Sequence, residues 1–301
     1  MSVCFMIMAH KEPEQFKDLA GTLLAAGGRV VAFIDKKADI EPFRLEGVEY
    51  IEHRHSVNWG GYSQVLAMEK TMNAALELYP ESSHYMWTSA QDYPLKPVDE
   101  FIKFMSSEEN AQRSFMEVKH ISEGSWHDKV YRYPENMGYK DQEVKSPLLH
   151  KFRRKILSII HRLRTPKYTP DMYFGSTSWV LDAQTMAAIL SYYRSPEGYS
   201  VRKYTRHVFA CDEKWLPSSL MRIPERKHVY GLDENLIFSS PESIVVDEKI
   251  HYIDWSPERE NPALLTVDDL PAMDASGKWF ARKFDVDKSA QLLEVLRKRQ
   301  S

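Results

Sequence analysis

The 301 residues carry 40 Lys and Arg against 43 Asp and Glu, and the net charge of −3 gives no global reason to expect nucleic acid. With 43% hydrophobic and 12% aromatic residues the chain can bury a substantial core, enough for one large α/β domain or two small ones. Two cysteines make no disulfide framework, and no stretch reaches about 18 uninterrupted apolar residues, so a soluble or at most surface-attached protein of a reducing compartment is expected.

Val3 to Ala9 is a continuous apolar run, the pattern of a strand buried on both faces of a parallel sheet rather than of a signal peptide. His10-Lys11-Glu12-Pro13 ends it and starts a helix with Phe16, Leu19 and Leu23 on one face. Gly27-Gly28 closes that helix, and Arg29 to Ile34 is the next strand, so the chain opens with a right-handed βαβ unit. Asp35 then sits at the carboxyl end of the second strand, the edge where open α/β sheets bind ligands. It can contact a nucleotide there or simply begin a polar loop. No GxGxxG accompanies the turn, which argues against a dinucleotide fold.

Trp59-Gly60-Gly61 leads into a helix from about Ser63 to Tyr79, where Met68 and Met72 read as core filling. His84 to Ser89 is a third strand, followed by Gln91, Asp92 and a turn-forming Pro94. The only Asp-x-Asp in the chain, Asp285 to Asp287, precedes a helix, where capping is the expected role. No HxxxH or Cys/His ligand spacing and no GxSxG elbow appears, so neither a metal site nor a nucleophile elbow is expected.

The stretch from Tyr173 to Pro224 carries the densest chemistry. A Gly175-Ser176 turn enters a short strand, Trp179 to Leu181, and a helix with Met186, Ile189 and Leu190 at helical spacing. Cys211-Asp212-Glu213 then opens a second helix whose Trp215, Leu216 and Leu220 face one way. Two adjacent carboxylates therefore stand at a helix N-terminus. They can cap free N–H groups, or one can serve as a base that the helix dipole keeps ionised. Lys145 to Lys167 is different in kind: eight Lys or Arg, no acid, and apolar residues at three- and four-residue spacing. Such a segment can lie on an anionic membrane surface or pack its stripe on the domain.

Nine pieces occur in the order of a known family: MAHKEPEQ from Met8, FIDKK from Phe33, NWGGYS from Asn58, SAQDYPLK from Ser89, FGSTSWVL from Phe174, CDEKWLPSSLMRIP from Cys211, HYIDW from His251, LLTVDDL from Leu264 and FARKFD from Phe280. The chain resembles glycosyltransferase family 14, the core-2/I-branching β-1,6-N-acetylglucosaminyltransferases and peptide O-xylosyltransferases, in a compact bacterial form. The resemblance implies an α/β, GT-A-like fold with a Rossmann-like, mostly parallel sheet and helices on both faces. It further implies inverting transfer from a UDP-sugar without a metal or other cofactor. Glu213 matches the family's catalytic base. Donor contacts are expected from Lys283, Asp35, Asp92, His10 and Arg259, the last standing one residue out of register with the family's second cation. Acceptor contacts are expected from Glu117, Trp126, Arg132, Gly175, Ser176 and Trp179.

The expectation is one glycosyltransferase domain over 1–301, with a donor-binding half at about 1–110 and an acceptor half at about 111–301. Its partners would be a UDP-sugar and a glycan or lipid-linked glycan, in the cytoplasm, with residues 145–167 able to meet the inner face of an anionic membrane. The alternatives are a metal-dependent GT-A transferase using Asp92 or the Asp285 pair, and a non-catalytic glycan-binding protein.

Overall fold

In the computed structural model the described residues are 2–121, 171–235 and 245–300, with 151, 152, 155, 156 and 159 between them. The first half runs β1 (Ser2–Ala9), α1 (Pro13–Ala25), β2 (Arg29–Ile34), β3 (Val48–Tyr50), α2 (Ser63–Leu78), β4 (Ser82–Ser89), β5 (Asp92–Pro94), α3 (Val98–Ser106) and β6 (Glu117–His120). The second half runs β7 (Tyr173–Phe174), β8 (Trp179–Asp182), α4 (Ala183–Arg194), α5 (Tyr199–Thr205), α6 (Asp212–Leu220), β9 (Val245–Asp247), β10 (His251–Ile253), α7 (Leu270–Ala275), β11 (Phe280–Arg282) and α8 (Ala290–Arg299).

The central sheet has the order β3-β2-β1-β4-β8. Its first four strands are parallel and β8 is antiparallel to β4. Alternation along the strands explains why both faces are covered, since successive side chains point to opposite sides. In β1, Cys4 and Met6 enter one apolar cluster, while Val3, Phe5, Ile7 and Ala9 enter the other. In β8, Trp179 and Leu181 join the first cluster and Val180 the second. The first cluster is closed by α2, α4 and α6, the second by α1, α3 and α8. Each fully buried large apolar side chain contributes about 1.5–3 kcal/mol of burial energy, which is what commits the unbroken apolar strands to the middle layer.

Two small sheets flank this layer. One has the order β10-β11-β5 and the other β7-β6-β9. The chain passes from β1 to β2 on one side and reaches β4 on the other, so the topology reverses between β1 and β4. Open sheets bind ligands in the crevice outside the carboxyl ends of strands at such a reversal. The loops there are His10–Glu12 after β1 and Ala90–Gln91 after β4, tied together by Ala90 N donating to Met8 O (3.0 Å). In β11, Arg282 stands opposite Asp92 of β5, so FARKFD is delivered to the same edge.

Candidate active site at the carboxyl edge of the sheet

Glu213 is brought to this edge by α6, whose position follows from contacts with β7. Ser218 Oγ donates to Tyr173 O (3.0 Å) and accepts from Tyr173 N (3.0 Å), while Gly175 N donates to Glu213 O (2.9 Å). Ser176 N donates to Glu117 Oε2 (3.0 Å), and Glu117 is ion-paired with Lys119. Glu117, Gly175, Ser176 and Glu213 thus come together at one place. Gly175 has a steric reason: a Cβ there would overlap the Glu117 carbonyl. On the other flank Gly60, at φ 71°, lies against the Phe209 ring where no Cβ fits. The exposed Trp59 meets that ring edge-on at 5.3 Å. Ala210, just before the helix, is one of two non-glycine residues with positive φ among the described residues, at 49°; the other is Glu12, at 55°. Strained backbone of this kind costs about 1–3 kcal/mol and concentrates at functional sites.

The carboxylate pair does not have the electrostatics its helix position suggested. The cap position is Cys211, which makes no side-chain cap hydrogen bond, and Asp212 and Glu213 lie inside the first turn. Burial raises the Glu213 pKa, and the neighbouring Asp212 and Glu117 charges add to the rise against Lys214 and Arg282. Burial likewise raises Asp212, although backbone amides and Lys214 pull the other way. Asp212 Oδ1 is buried with no hydrogen-bond partner among the described residues. The expectation that the helix dipole keeps Glu213 ionised is therefore corrected. The dipole term is about 0.3–1 kcal/mol, less than the desolvation of two adjacent acids. Lys214, buried and donating to Phe209 O (2.6 Å), has its pKa lowered by burial.

Arg282 lies near enough to Asp212 and Glu213 for its charge to act on both, and Lys283 follows it in the chain. Lys283 is half-buried and, among the described residues, its Nζ makes no hydrogen bond or ion pair within 4 Å. Burial lowers its pKa, and the Arg282 and Lys11 charges lower it further against Glu260 and Glu12. Arg282 is ion-paired with Asp92 (2.9 Å), so of the two adjacent cations Lys283 is the one left without a counter-charge in contact among the described residues. His10, at the rim, is likewise held low by its packed surroundings and Lys11.

The other expected donor residues have different surroundings. Asp35 is buried and accepts from Lys37 N (2.9 Å) and Val57 N (3.3 Å), so it fixes the loops at the edge. Arg259 is held by Asp254 (2.8 Å) and bidentately by Asp269 (2.6 and 3.1 Å), which also raise its pKa. It buttresses the β10–α7 connection and is already neutralised. Asp92 is fully buried beneath the edge and does not face it. Trp179, expected at the acceptor, is 0% exposed and stacks on Trp87 at 6.3 Å, so it is core. Asp285 Oδ1 accepts from Asp287 N (3.1 Å) and Lys288 N (3.2 Å), which closes the turn ahead of α8, while the cap position of that helix is Ser289 rather than either Asp. Trp126 and Arg132 lie outside the described residues, as does most of 145–167. Among the described residues no group of three or more His, Cys, Asp or Glu is arranged to hold a metal ion.

Arg282 is the residue that sequence reasoning passed over. Its signal was there: it adjoins Lys283, and an antiparallel pairing of FARKFD with SAQDYPLK would have set it against Asp92.

The family model described as Branch: Core-2/I-Branching enzyme matches residues 3–275. The chain belongs to the Core-2/I-branching enzyme family. Members of this family are glycosyltransferases, and so is this protein. The match includes Glu117, Gly175 and Glu213 and ends before Arg282 and Lys283, whose part in the site rests on their placement. No curated protein matches the chain. Among solved structures it is similar to mannose-1-phosphate geranyltransferase from Thermus thermophilus, with 14% identity and a TM-score of 0.32 over 75% of this chain and 69% of that one.

Proposed function

We propose that this Core-2/I-branching enzyme is an inverting, metal-independent glycosyltransferase that moves N-acetylglucosamine or xylose from its UDP-sugar to a hydroxyl of a glycan acceptor. The observation that carries this reading is the nearness of a partly buried carboxylate of raised pKa, Glu213, to Arg282, which adjoins Lys283, a half-buried cation with no ion-pair partner among the described residues. Glu213 takes the proton from the acceptor hydroxyl as its oxygen bonds to the anomeric carbon. The bond from that carbon to the diphosphate breaks on the opposite face, which inverts the configuration. A transition state of this type is oxocarbenium-like. The departing diphosphate gains negative charge, and fixed cations in a crevice that excludes water stabilise it without reorganising. Arg282 and Lys283 supply that charge, which is the ground for expecting no metal requirement.

Thermal unfolding with UDP in the presence of EDTA tests the donor half of this reading. At 100 times its dissociation constant a ligand of the folded state adds about 2.7 kcal/mol. A clear upward shift with UDP is expected; a shift with GDP or CMP and none with UDP overturns the assignment.

The acceptor is proposed to be a bacterial surface glycan under construction, reached at an anionic membrane through 145–167. Within that segment Lys151, Phe152, Lys155, Ile156 and Ile159 are helical and exposed, with the three apolar residues at four- and three-residue spacing. No helix among the described residues is long and apolar enough to cross a membrane. Flotation with phosphatidylglycerol liposomes at low and high salt checks this. Salt-sensitive binding is expected, since each cation near such a surface adds about 1 kcal/mol; no binding at low salt excludes it.

A further inference from the structure

The most heavily bonded buried side chain at the edge of the sheet is Asp92, and its partners converge from three segments. Its carboxylate accepts from Thr88 Oγ1 (2.7 Å), Ser89 N (2.9 Å) and Ser89 Oγ (3.1 Å). It is ion-paired with Arg282 (2.9 Å), whose same nitrogen also donates to Ser89 Oγ (2.5 Å). His251 Nε2 stands 3.5 Å from its other oxygen, and the His251 ring, fully buried, lies against Phe280 at 5.5 Å. Burial alone would raise the Asp92 pKa, but Arg282 and His251 outweigh it and hold the group well below the usual carboxylate range. Asp92 is therefore a permanent buried anion. A buried anion is costly unless its partners are retained, and here the partner it holds is the guanidinium whose charge acts on both Lys283 and Glu213.

Arg282 needs this. A guanidinium recognises phosphate oxygens through a planar fork, so its value depends on orientation as much as on charge. One nitrogen is spent on Asp92 and Ser89, which fixes the plane and leaves the remaining N–H groups for a ligand. The side chain is 26% exposed, enough for a ligand to reach those groups.

We propose that Asp92, backed by His251 and Ser89, is a positioning residue that sets the Arg282 guanidinium for the departing diphosphate. It touches neither donor nor acceptor and acts only through Arg282. This rests on the reading of Arg282 as a leaving-group cation, and the test separates the two. Such orientation matters most as negative charge develops, so its loss lowers kcat more than it raises KM.

The test is a double-mutant cycle on the full chain, with UDP affinity by calorimetry, kcat and KM for transfer, and thermal unfolding as the control for folding. Asp92→Asn is expected to lower kcat/KM by about 10-fold, within the range of coupling between residues in contact. Added to Arg282→Ala, it is expected to change kcat/KM by less than about 2-fold, because nothing remains to be positioned. Should Asp92→Asn fail to fold, Ser89→Ala, which removes the hydroxyl shared by the pair, enters the same cycle with the same non-additive outcome. Equal losses in both backgrounds, or no loss from Asp92→Asn beside an impaired Arg282→Ala, overturn the positioning role alone. An Arg282→Ala variant with unchanged UDP affinity and transfer overturns the reading of Arg282 itself.

Discussion

Gly175→Ala is a one-carbon change whose consequence can be worked from the geometry. An added Cβ would lie 2.8 Å from the Glu117 carbonyl carbon and closer still to its oxygen, against 3.4 Å for ordinary contact. Both neighbours are backbone, so no side chain can swing aside. The strand carrying Glu117 and the turn carrying Ser176 must part by roughly 1 Å, and such overpacking costs about 1–3 kcal/mol. The same movement pulls Ser176 N from Glu117 Oε2 and Gly175 N from Glu213 O. A displacement of about 1 Å in a reacting arrangement costs on the order of 100-fold in rate. The assay is transfer per folded molecule together with thermal unfolding, with Gly21→Ala as the matched control. Gly21 lies inside α1, and a Cβ added there would meet nothing within 4 Å, so alanine stabilises by about 0.5–1 kcal/mol at that position. If Gly175→Ala matches the control in both stability and rate, the turn does not set the site.

Lys283→Ala is expected to weaken UDP binding by about 10- to 100-fold, the worth of a charge-assisted hydrogen bond of about 1.5–3 kcal/mol. Stability should stay within about ±0.5 kcal/mol, as for most surface truncations; unchanged UDP affinity assigns this lysine to the surface. The raised pKa of Glu213 gives a pH dependence. Only its deprotonated form accepts a proton, so kcat/KM should climb as pH rises beyond the ordinary carboxylate range, and a plateau already reached near pH 5 refutes the shift. With both acids raised, the native state also binds more protons at Asp212 and Glu213 than the unfolded chain does, so their stability contribution is present at low pH and lost as pH rises. Thermal unfolding across pH should accordingly show Glu213→Gln losing less stability than wild type on the alkaline side.

Much of this was legible in the sequence because the physics was local. The unbroken apolar run of β1, the helical spacing of α1 and α2, and the carboxyl-edge position of Asp35 each follow from a few neighbouring residues. The Gly175-Ser176 turn and Glu213 stood out in one stretch of sequence and Glu117 by its place in the family's order, and the structure supplies the contacts that join them. What was not legible depends on distant partners. Asp212 and Glu213 read as helix-terminal acids that the dipole keeps charged, and only the packed surroundings reverse their electrostatics. Arg259 looked like a spare cation until Asp254 and Asp269 closed on it. Trp179 was expected among the acceptor contacts, but the parity of β8 turns it into the core against Trp87. Arg282 stayed hidden because its meaning comes from strand pairing across 190 residues.

The most direct test of the account is Glu213→Gln, assayed for transfer, UDP binding and stability in one preparation. Glutamine keeps the shape but cannot take the acceptor proton, and a positioned base is worth about 100- to 10,000-fold, or roughly 3–5 kcal/mol of barrier. The account predicts a loss of that size with UDP binding intact and a fold at least as stable as wild type at alkaline pH. A helix-capping carboxylate would behave in the opposite way, losing about 1 kcal/mol of stability with the rate per folded molecule preserved. Turnover above about a tenth of wild type would contradict the central claim that Glu213 is the base.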